Sequence, residues 1–340
     1  MEEITTIGLD IAKHVFQVHG VDAAGNVAIK RRLRRGEVLT FFAKLQPTLI
    51  GIEACATSHY WARELSVMGH NVKLMPPHYV KPYVKRQKND MTDAAAICEA
   101  VTRPSMRFVP LKSEEQQAVL MLHRSRELLV RQHTMLVNAL RAHLAEFGIV
   151  MKQGKAGAAE VASLVQDADN SALSSSVREA LLPLVEQLRH TEERVTRLEQ
   201  SIVDWHKSNP TSQRLASIPG IGPITASAIV ATITDARLFS SGRHLAAWLG
   251  LVQRQNSSGG KERLGGITKK GDGYIRKLLV IGANAVLRFA RKGGASSTMW
   301  ASSLLTRKPH KVVAVALANK MARISWALLA RNEAFRAKGA

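Results

Sequence analysis

The chain has 340 residues, 46% of them hydrophobic, which is enough for two or three domains with cores of their own. A formal charge of +21 with a pI near 10.4 points to a polyanionic partner, most simply nucleic acid. Only two cysteines occur, Cys55 and Cys98, with no pair or histidine at zinc-ligand spacing, so a disulfide framework and a structural zinc are excluded and a reducing, cytoplasmic setting is expected.

The N-terminus Met1-Glu2-Glu3 is acidic and leads straight into an apolar run, unlike a signal peptide. Alternation predicts strands over 4–11, 14–21 and 27–34, a meander with the Gly25-Asn26 turn before its last strand. A helix from Glu37 to Leu45, a strand from Leu49 to Glu53, a helix from Tyr60 to Met68 and a strand from Val72 to Met75 follow, which describes an α/β layer with a central sheet. A helix over 90–101 closes this part, expected to span residues 1–110.

Beyond Pro110 the pattern changes. No proline or glycine occurs from Glu114 to Phe147, and apolar residues recur at helical steps, predicting a helix roughly 50 Å long at 1.5 Å per residue. A second helix, from Val177 to Trp205, sets Leu181, Leu184, Leu188, Val195, Leu198 and Ile202 at steps of 3, 4 and 7. Together they predict an antiparallel coiled-coil arm over 111–208 that also serves as a subunit contact, with a mobile Ala/Ser/Gly-rich link over 154–176.

Residues 209–340 are expected to form a mainly helical domain, and most of the excess charge is here: residues 250–340 carry 18 basic and 3 acidic groups. The stretch Ala216 to Ile233 is apolar for about a membrane's width but holds Pro219, Gly220, Gly222 and Pro223, so it reads as a helix-hairpin-helix rather than a span. Such a hairpin offers backbone N–H groups to a phosphate, with Gly220 and Gly222 at the turn; the plainer reading is a turn that packs two helices. Residues 248–272 then form a glycine-rich loop with Ser257 and Ser258 among Arg254, Lys261, Arg263, Lys269 and Lys270. A serine so surrounded can attack a phosphodiester while the cations stabilise the developing charge, although loops of this composition commonly serve as connections and their basic residues as backbone contacts.

Four acids suggest the chemistry. Asp90 and Asp93 stand one helical turn apart behind the cationic run Lys85-Arg86-Gln87-Lys88-Asn89, and Asp10 and Glu53 each close an apolar strand. A carboxylate at a strand end is costly unless paired, so this set reads as a hard-metal site, best filled by two Mg²⁺ ions about 3.5–4 Å apart, with Mn²⁺ as a substitute. Taken singly, Asp90 can be a helix cap and Asp93 a solvated acid of the first turn.

Gly8-Leu9-Asp10-Ile11-Ala12-Lys13, Ile52-Glu53-Ala54, Asn89-Asp90-Met91-Thr92-Asp93-Ala94, Ile218-Pro219-Gly220-Ile221-Gly222-Pro223 and Ser257-Ser258-Gly259-Gly260-Lys261 succeed one another over nearly the whole chain. In their order and spacing the chain resembles the DEDD-type insertion-sequence transposases, described as bridge-RNA-guided recombinases. The resemblance implies a RuvC-like, RNase-H-type domain whose acids are Asp10, Glu53, Asp90 and Asp93. It further implies a C-terminal transposase domain whose serine joins covalently to DNA; the serine directly before glycine, Ser258, matches the family pattern. It also implies oligomers, a dimer and a tetramer in the synaptic complex, in which the acids of one subunit work with the serine of another. Its partners would be DNA, at the element ends and target, and a structured guide RNA. The setting would be a bacterial cytoplasm, at the nucleoid, with no membrane. The rival readings are a RuvC-like, structure-specific metal nuclease that activates water and a non-enzymatic nucleic-acid-binding protein derived from a transposase.

Overall fold

The computed structural model describes residues 3–84, 90–152, 154–167, 170–290 and 299–336. They fall into two compact units, Met1–Ser113 and Glu114–Ala340.

In the first unit β1 (Thr6–Ile11), β2 (Val15–Val21) and β3 (Val27–Arg34) form the expected meander. They are followed by α1 (Val38–Phe42), β4 (Leu49–Glu53), α2 (Ser58–Val67), β5 (Asn71–Met75), α3 (Pro77–Val80) and α4 (Asp90–Val101). The sheet order is β3-β2-β1-β4-β5; β2 is antiparallel to both its neighbours, whereas β1, β4 and β5 run parallel. A mixed five-stranded sheet with helices on both faces is consistent with an RNase-H-type domain. On one face Ile7, Leu9, Phe16, Val18, Leu33, Ile50 and Ile52 are buried against Phe42 of α1 and Trp61 and Leu65 of α2, with Phe16 and Trp61 edge to face at 4.9 Å. The other face carries α4. The cationic run Lys85-Arg86-Gln87-Lys88-Asn89 before it lies outside the described residues.

The second unit opens with the two predicted long helices, α5 (Glu114–Ala145) and, after α6 (Lys155–Gln166), α7 (Ser175–Ser208). They run antiparallel, because partners on α7 descend as α5 ascends. Glu115 accepts from the Trp205 indole at 2.7 Å, Glu199 from Arg126 Nε at 2.8 Å, and Glu192 contacts His133 at 2.9 Å. Leu140, Leu144, Leu181, Val185 and Leu188 fill the seam.

The link expected to be mobile contains α6 instead. Its apolar residues Ala158, Val161 and Val165 close over the end of the arm, and Arg178 of α7 donates to the carbonyls of Leu164 and Val165 at 3.0 and 3.1 Å and of Asn170 at 2.8 Å. A guanidinium thus satisfies the orphan carbonyls at the helix C-terminus. α7 continues through Pro183, which is exposed.

The rest comprises α8 (Pro210–Ala216), α9 (Pro223–Thr232), α10 (Gly242–Trp248), the hairpin β6 (Gln253–Gln255) and β7 (Leu264–Ile267), α11 (Gly273–Ala290), α12 (Met299–Leu305) and α13 (His310–Arg331). α13 is the one described helix long and apolar enough to cross a membrane. Its Ala318, Met321, Ala322 and Leu328 are buried in the core shared with α9, α10 and α11, which accounts for its hydropathy.

His123 of α5 is 1% exposed and joins three helices: its Nδ1 lies 3.1 Å from the Tyr274 hydroxyl of α11 and its Nε2 3.1 Å from Ser227 Oγ of α9. Ser227 spends its proton on the Pro223 carbonyl at 2.7 Å, so its oxygen accepts from Nε2–H and the tyrosine donates to Nδ1. Burial, with a smaller effect of Arg126, pushes the imidazole down to about 4. A folded state that holds the ring neutral is favoured above the ordinary histidine range near 6.5 and loses that advantage as pH falls toward 4. Denaturant melts should show the second unit losing about 3 kcal/mol between neutral pH and pH 4, and a His123→Phe variant, whatever its absolute stability, should lack that segment of the pH dependence.

Candidate active site and nucleic-acid interface

The four acids are positioned by the sheet and the helix above it. β1 and β4 pair in parallel register, Gly8 beside Gly51 and Leu9 beside Ile52, so the next residues, Asp10 and Glu53, stand side by side at the carboxyl ends of neighbouring strands. Period-2 alternation puts them on the face of Gly8 and Gly51, opposite the face that buries Leu9 and Ile52. Both are half-buried.

α4 lies on that same face, and it lies close. A Cβ on Gly8 would fall inside the Ala94 carbonyl oxygen and beside the Cys98 backbone, and one on Gly51 would come within 2.8 Å of Val101 and 3.2 Å of Ile97. The Cys98 thiol donates to the Thr6 carbonyl at 3.7 Å, and burial, the largest influence on it, pushes this thiol up to about 11. Ascending β1 from Thr6 to Gly8 therefore descends α4 from Cys98 to Ala94, and a further step leads from Gly8 to Asp10 and from Ala94 to the first turn, which starts at Asp90. On β4 the same step leads from Gly51 to Glu53 and from Ile97 back to Asp93, which is half-buried. The Asp90 side chain lies outside the described residues, and among those described no three acids, histidines or cysteines group closely enough to form a metal site. The donor chemistry nonetheless suits a hard divalent cation: every candidate ligand is a carboxylate oxygen, and Asp10 and Glu53 place two like charges about one strand spacing, 4.7–4.9 Å, apart.

Ser257 and Ser258 belong to the second unit. Their loop is a β-hairpin: Asn256 donates to Arg263 at 2.9 Å, and Lys261 donates back to Ser258 at 3.1 Å across Gly259 and Gly260, whose φ values are +56° and +76°. Two successive left-handed residues make a type I′ turn, a conformation that costs glycine little. Ser258 is thus the corner residue of an exposed tip, while the Ser257 hydroxyl accepts the Arg263 N–H at 3.4 Å. Arg254, Lys261, Arg263, Lys269 and Lys270 are exposed along the hairpin and its base.

At the predicted helix-hairpin-helix, Ile221 donates to Ile218 at 2.9 Å across Pro219 and Gly220, closing a tight turn between α8 and α9. Gly220 is half-buried and packs on the backbone of Gly282 in α11; Gly222, the N-cap of α9, is exposed. Of the two glycines singled out, one serves helix packing and the other faces solvent at a helix N-terminus.

Comparison with known proteins adds to this geometry. Residues 7–149 match a transposase family, and residues 212–297 match the family described as "Transposase IS116/IS110/IS902 family". A "Probable family 20 transposase" of Pseudomonas aeruginosa is 49% identical over 334 residues, covering 98% of this chain and 99% of that protein. The chain belongs to the IS110/IS116 family of insertion-sequence transposases. The transposase for insertion sequence element IS1111A of Coxiella burnetii is 40% identical over 99% of this chain and 92% of its own length. That for element IS1328 of Yersinia enterocolitica is 38% identical over 98% and 99%.

Two residues of this transposase that sequence reasoning passed over anchor the hairpin. Arg276 of α11 donates to the carbonyls of Leu249 and Lys270 at 2.8 and 3.0 Å, and Asn319 of α13 donates to Leu251 at 3.1 Å. Neither position has a spacing that betrays this role: Arg276 turns back on the hairpin base from the first turn of the helix that follows it, and Asn319 reaches it from far along the chain. The parts played by Gly8 and Gly51 were legible only as glycines interrupting strands, a mark of close backbone approach. Gly8→Ala should therefore cost roughly 1–3 kcal/mol in denaturant melts by lifting α4 off the sheet, and Gly51→Ala should cost less, because only side chains oppose it.

Proposed function

We propose that the chain is a DNA recombinase that moves its insertion sequence by cutting and rejoining DNA through a phosphoserine intermediate on Ser258. The observation that carries this reading is that Asp10 and Glu53 directly follow the last paired residues, Leu9 and Ile52, of adjoining parallel strands on the sheet face that carries α4, in a chain of this transposase family. In this reading Asp10, Glu53, Asp90 and Asp93 hold two Mg²⁺ ions, or Mn²⁺ in their place, which when bound neutralise charge at the scissile phosphate. The arm, residues 111–208, holds subunits together, and residues 209–340 form the transposase domain.

Ser258 Oγ attacks phosphorus as the bond from phosphorus to one strand end breaks. The serine proton passes to solvent, and the departing oxygen takes one up as a hydroxyl. A hydroxyl freed on a partner strand then attacks the phosphoserine in the reverse sense, so each bond broken is remade and no nucleotide hydrolysis is needed. Arg254, Lys261, Arg263, Lys269 and Lys270 hold the backbone of the DNA and offset the charge that develops, with the exposed N-terminus of α9 at Gly222 as a further phosphate contact. A structured guide RNA selects the element ends and the target, and the acids of one subunit complete the site of another within a dimer or tetramer.

Trapping the covalent adduct tests this. Ser258→Ala should bind DNA, form no adduct and recombine at least about 10³-fold more slowly, whereas Ser257→Ala should keep measurable recombination. Asp10→Ala should still fold and melt cooperatively, yet cleave nothing. A nucleotide mapped to Ser257 reverses the assignment, and cleavage with no adduct on either serine makes the protein a water-activating nuclease.

A further inference from the structure

We infer that the exposed edge strand β3 is a rail for the DNA strand held at the acidic site, and that its working residues are Lys30, Arg32 and Arg34 but not their neighbours Arg31 and Arg35. The inference rests on the DNA-cleaving reading above and goes beyond it by assigning a binding surface in the first unit, outside the basic hairpin.

β3 has β2 on one side and, among the described residues, no strand on the other, so it is an edge of the sheet. Five of its six residues from Lys30 to Arg35, taken with the residue that follows it, are cationic and exposed; the sixth, Leu33, is buried in the core under α1 and α2. The pleat sorts these cations by face. Arg31 shares the face of Leu33, and Arg35, just past the strand, reaches the same side; each guanidinium stands over an aromatic ring there, Arg31 at 5.5 Å from Phe41 and Arg35 at 5.0 Å from Trp61 of the core that buries Leu33. Lys30, Arg32 and Arg34 take the other face, where, among the described residues, none of the three is in an ion pair or a ring contact. That Lys30 points this way is borne out by His19, its cross-strand partner on β2, whose imidazole is held below the usual range by burial and, second, by the charge of Lys30.

This second face is the one that carries the acids. Across it the register aligns Asp10, Gln17 and Arg32 in one row, which Glu53 extends as the residue after Ile52, with Gly51, Gly8, His19 and Lys30 in the row before it and Val15 and Arg34 in the row beyond. Arg32 therefore starts two strand spacings, about 10 Å, from Asp10, within reach of a phosphate next to one held by the carboxylates. The three cations repeat every second residue, at about 6.6–6.8 Å, a spacing at which successive side chains can meet successive phosphates of an extended strand. Charge on an edge strand also discourages edge-to-edge pairing, but that purpose is served equally by either face.

The faces provide the control. With the full-length protein and a fluorescent DNA of mixed sequence, affinity is measured against salt for wild type, for Lys30→Gln/Arg32→Gln/Arg34→Gln and for Arg31→Gln/Arg35→Gln. Three lost phosphate contacts should reduce the slope of log affinity against log salt by about 2–3, and the two-residue control should reduce it by less than about 1. If the triple variant melts early, the three single changes should each reduce the slope by about 0.7–0.9, and Arg32→Lys should restore it. Equal losses per charge on both faces, no loss on either, or a loss with RNA alone overturns the inference. Wild-type protein that binds no DNA overturns the recombinase reading itself.

Discussion

The distance between α4 and the sheet is the constraint on which the first unit depends. A helix ordinarily rests on a sheet through side chains from both, but at Gly8 and Gly51 the sheet contributes none, and α4 settles onto bare backbone. This close seat fixes the register of helix against strands, so that a step along β1 or β4 translates into one turn of α4. It also decides what is covered. The helix shields His19, which is 8% exposed, while the next strand, β3, remains open to solvent. Acids beside a helix and cations on an open edge are two outcomes of the same contact.

The second unit presents its chemistry differently. Its serines are set at the tip of a two-stranded hairpin, a structure marginal by itself, whose tip is shaped by two left-handed glycines rather than by packing. Its stability therefore has to come from below, from Arg276 and Asn319 gripping carbonyls at the base and from the buried helices to which those residues belong. The arm divides labour in a comparable way. Exposed pairs such as His133 with Glu192 contribute about 0–1 kcal/mol each and mostly fix alignment, whereas Leu181, Val185 and Leu188 supply the burial.

Much of this was legible from local pattern. The meander, β4 and β5, α4 and the two long helices announce themselves through period 2 or period 3.6, and strand ends bearing Asp10 and Glu53 are visible as acids closing apolar runs. α6 was missed because its Ala-, Ser- and Gly-rich sequence reads as a link, and what orders it, Arg178 and the seam of the arm, comes from another helix. The hairpin was missed because Gln253-Arg254-Gln255 has no apolar alternation, although Gly259-Gly260 was a turn signal in plain view. That the turn at Gly220 packs helices was one of the readings open to the sequence, but its partner could not be read, since Gly282 is remote in sequence.

The antiparallel pairing of α5 with α7 gives the arm a length that cannot drift one residue at a time. An insertion in one helix alone would slide Glu115, Arg126 and His133 out of step with Trp205, Glu199 and Glu192 and turn the apolar seam away from its partner. Matched insertions of seven residues, one in each helix, keep both periodicities and lengthen the arm by about 10.5 Å. The length of this arm is thus adjustable only in discrete increments, like the teeth of a gauge, and each increment would move α6 outward as an intact cap.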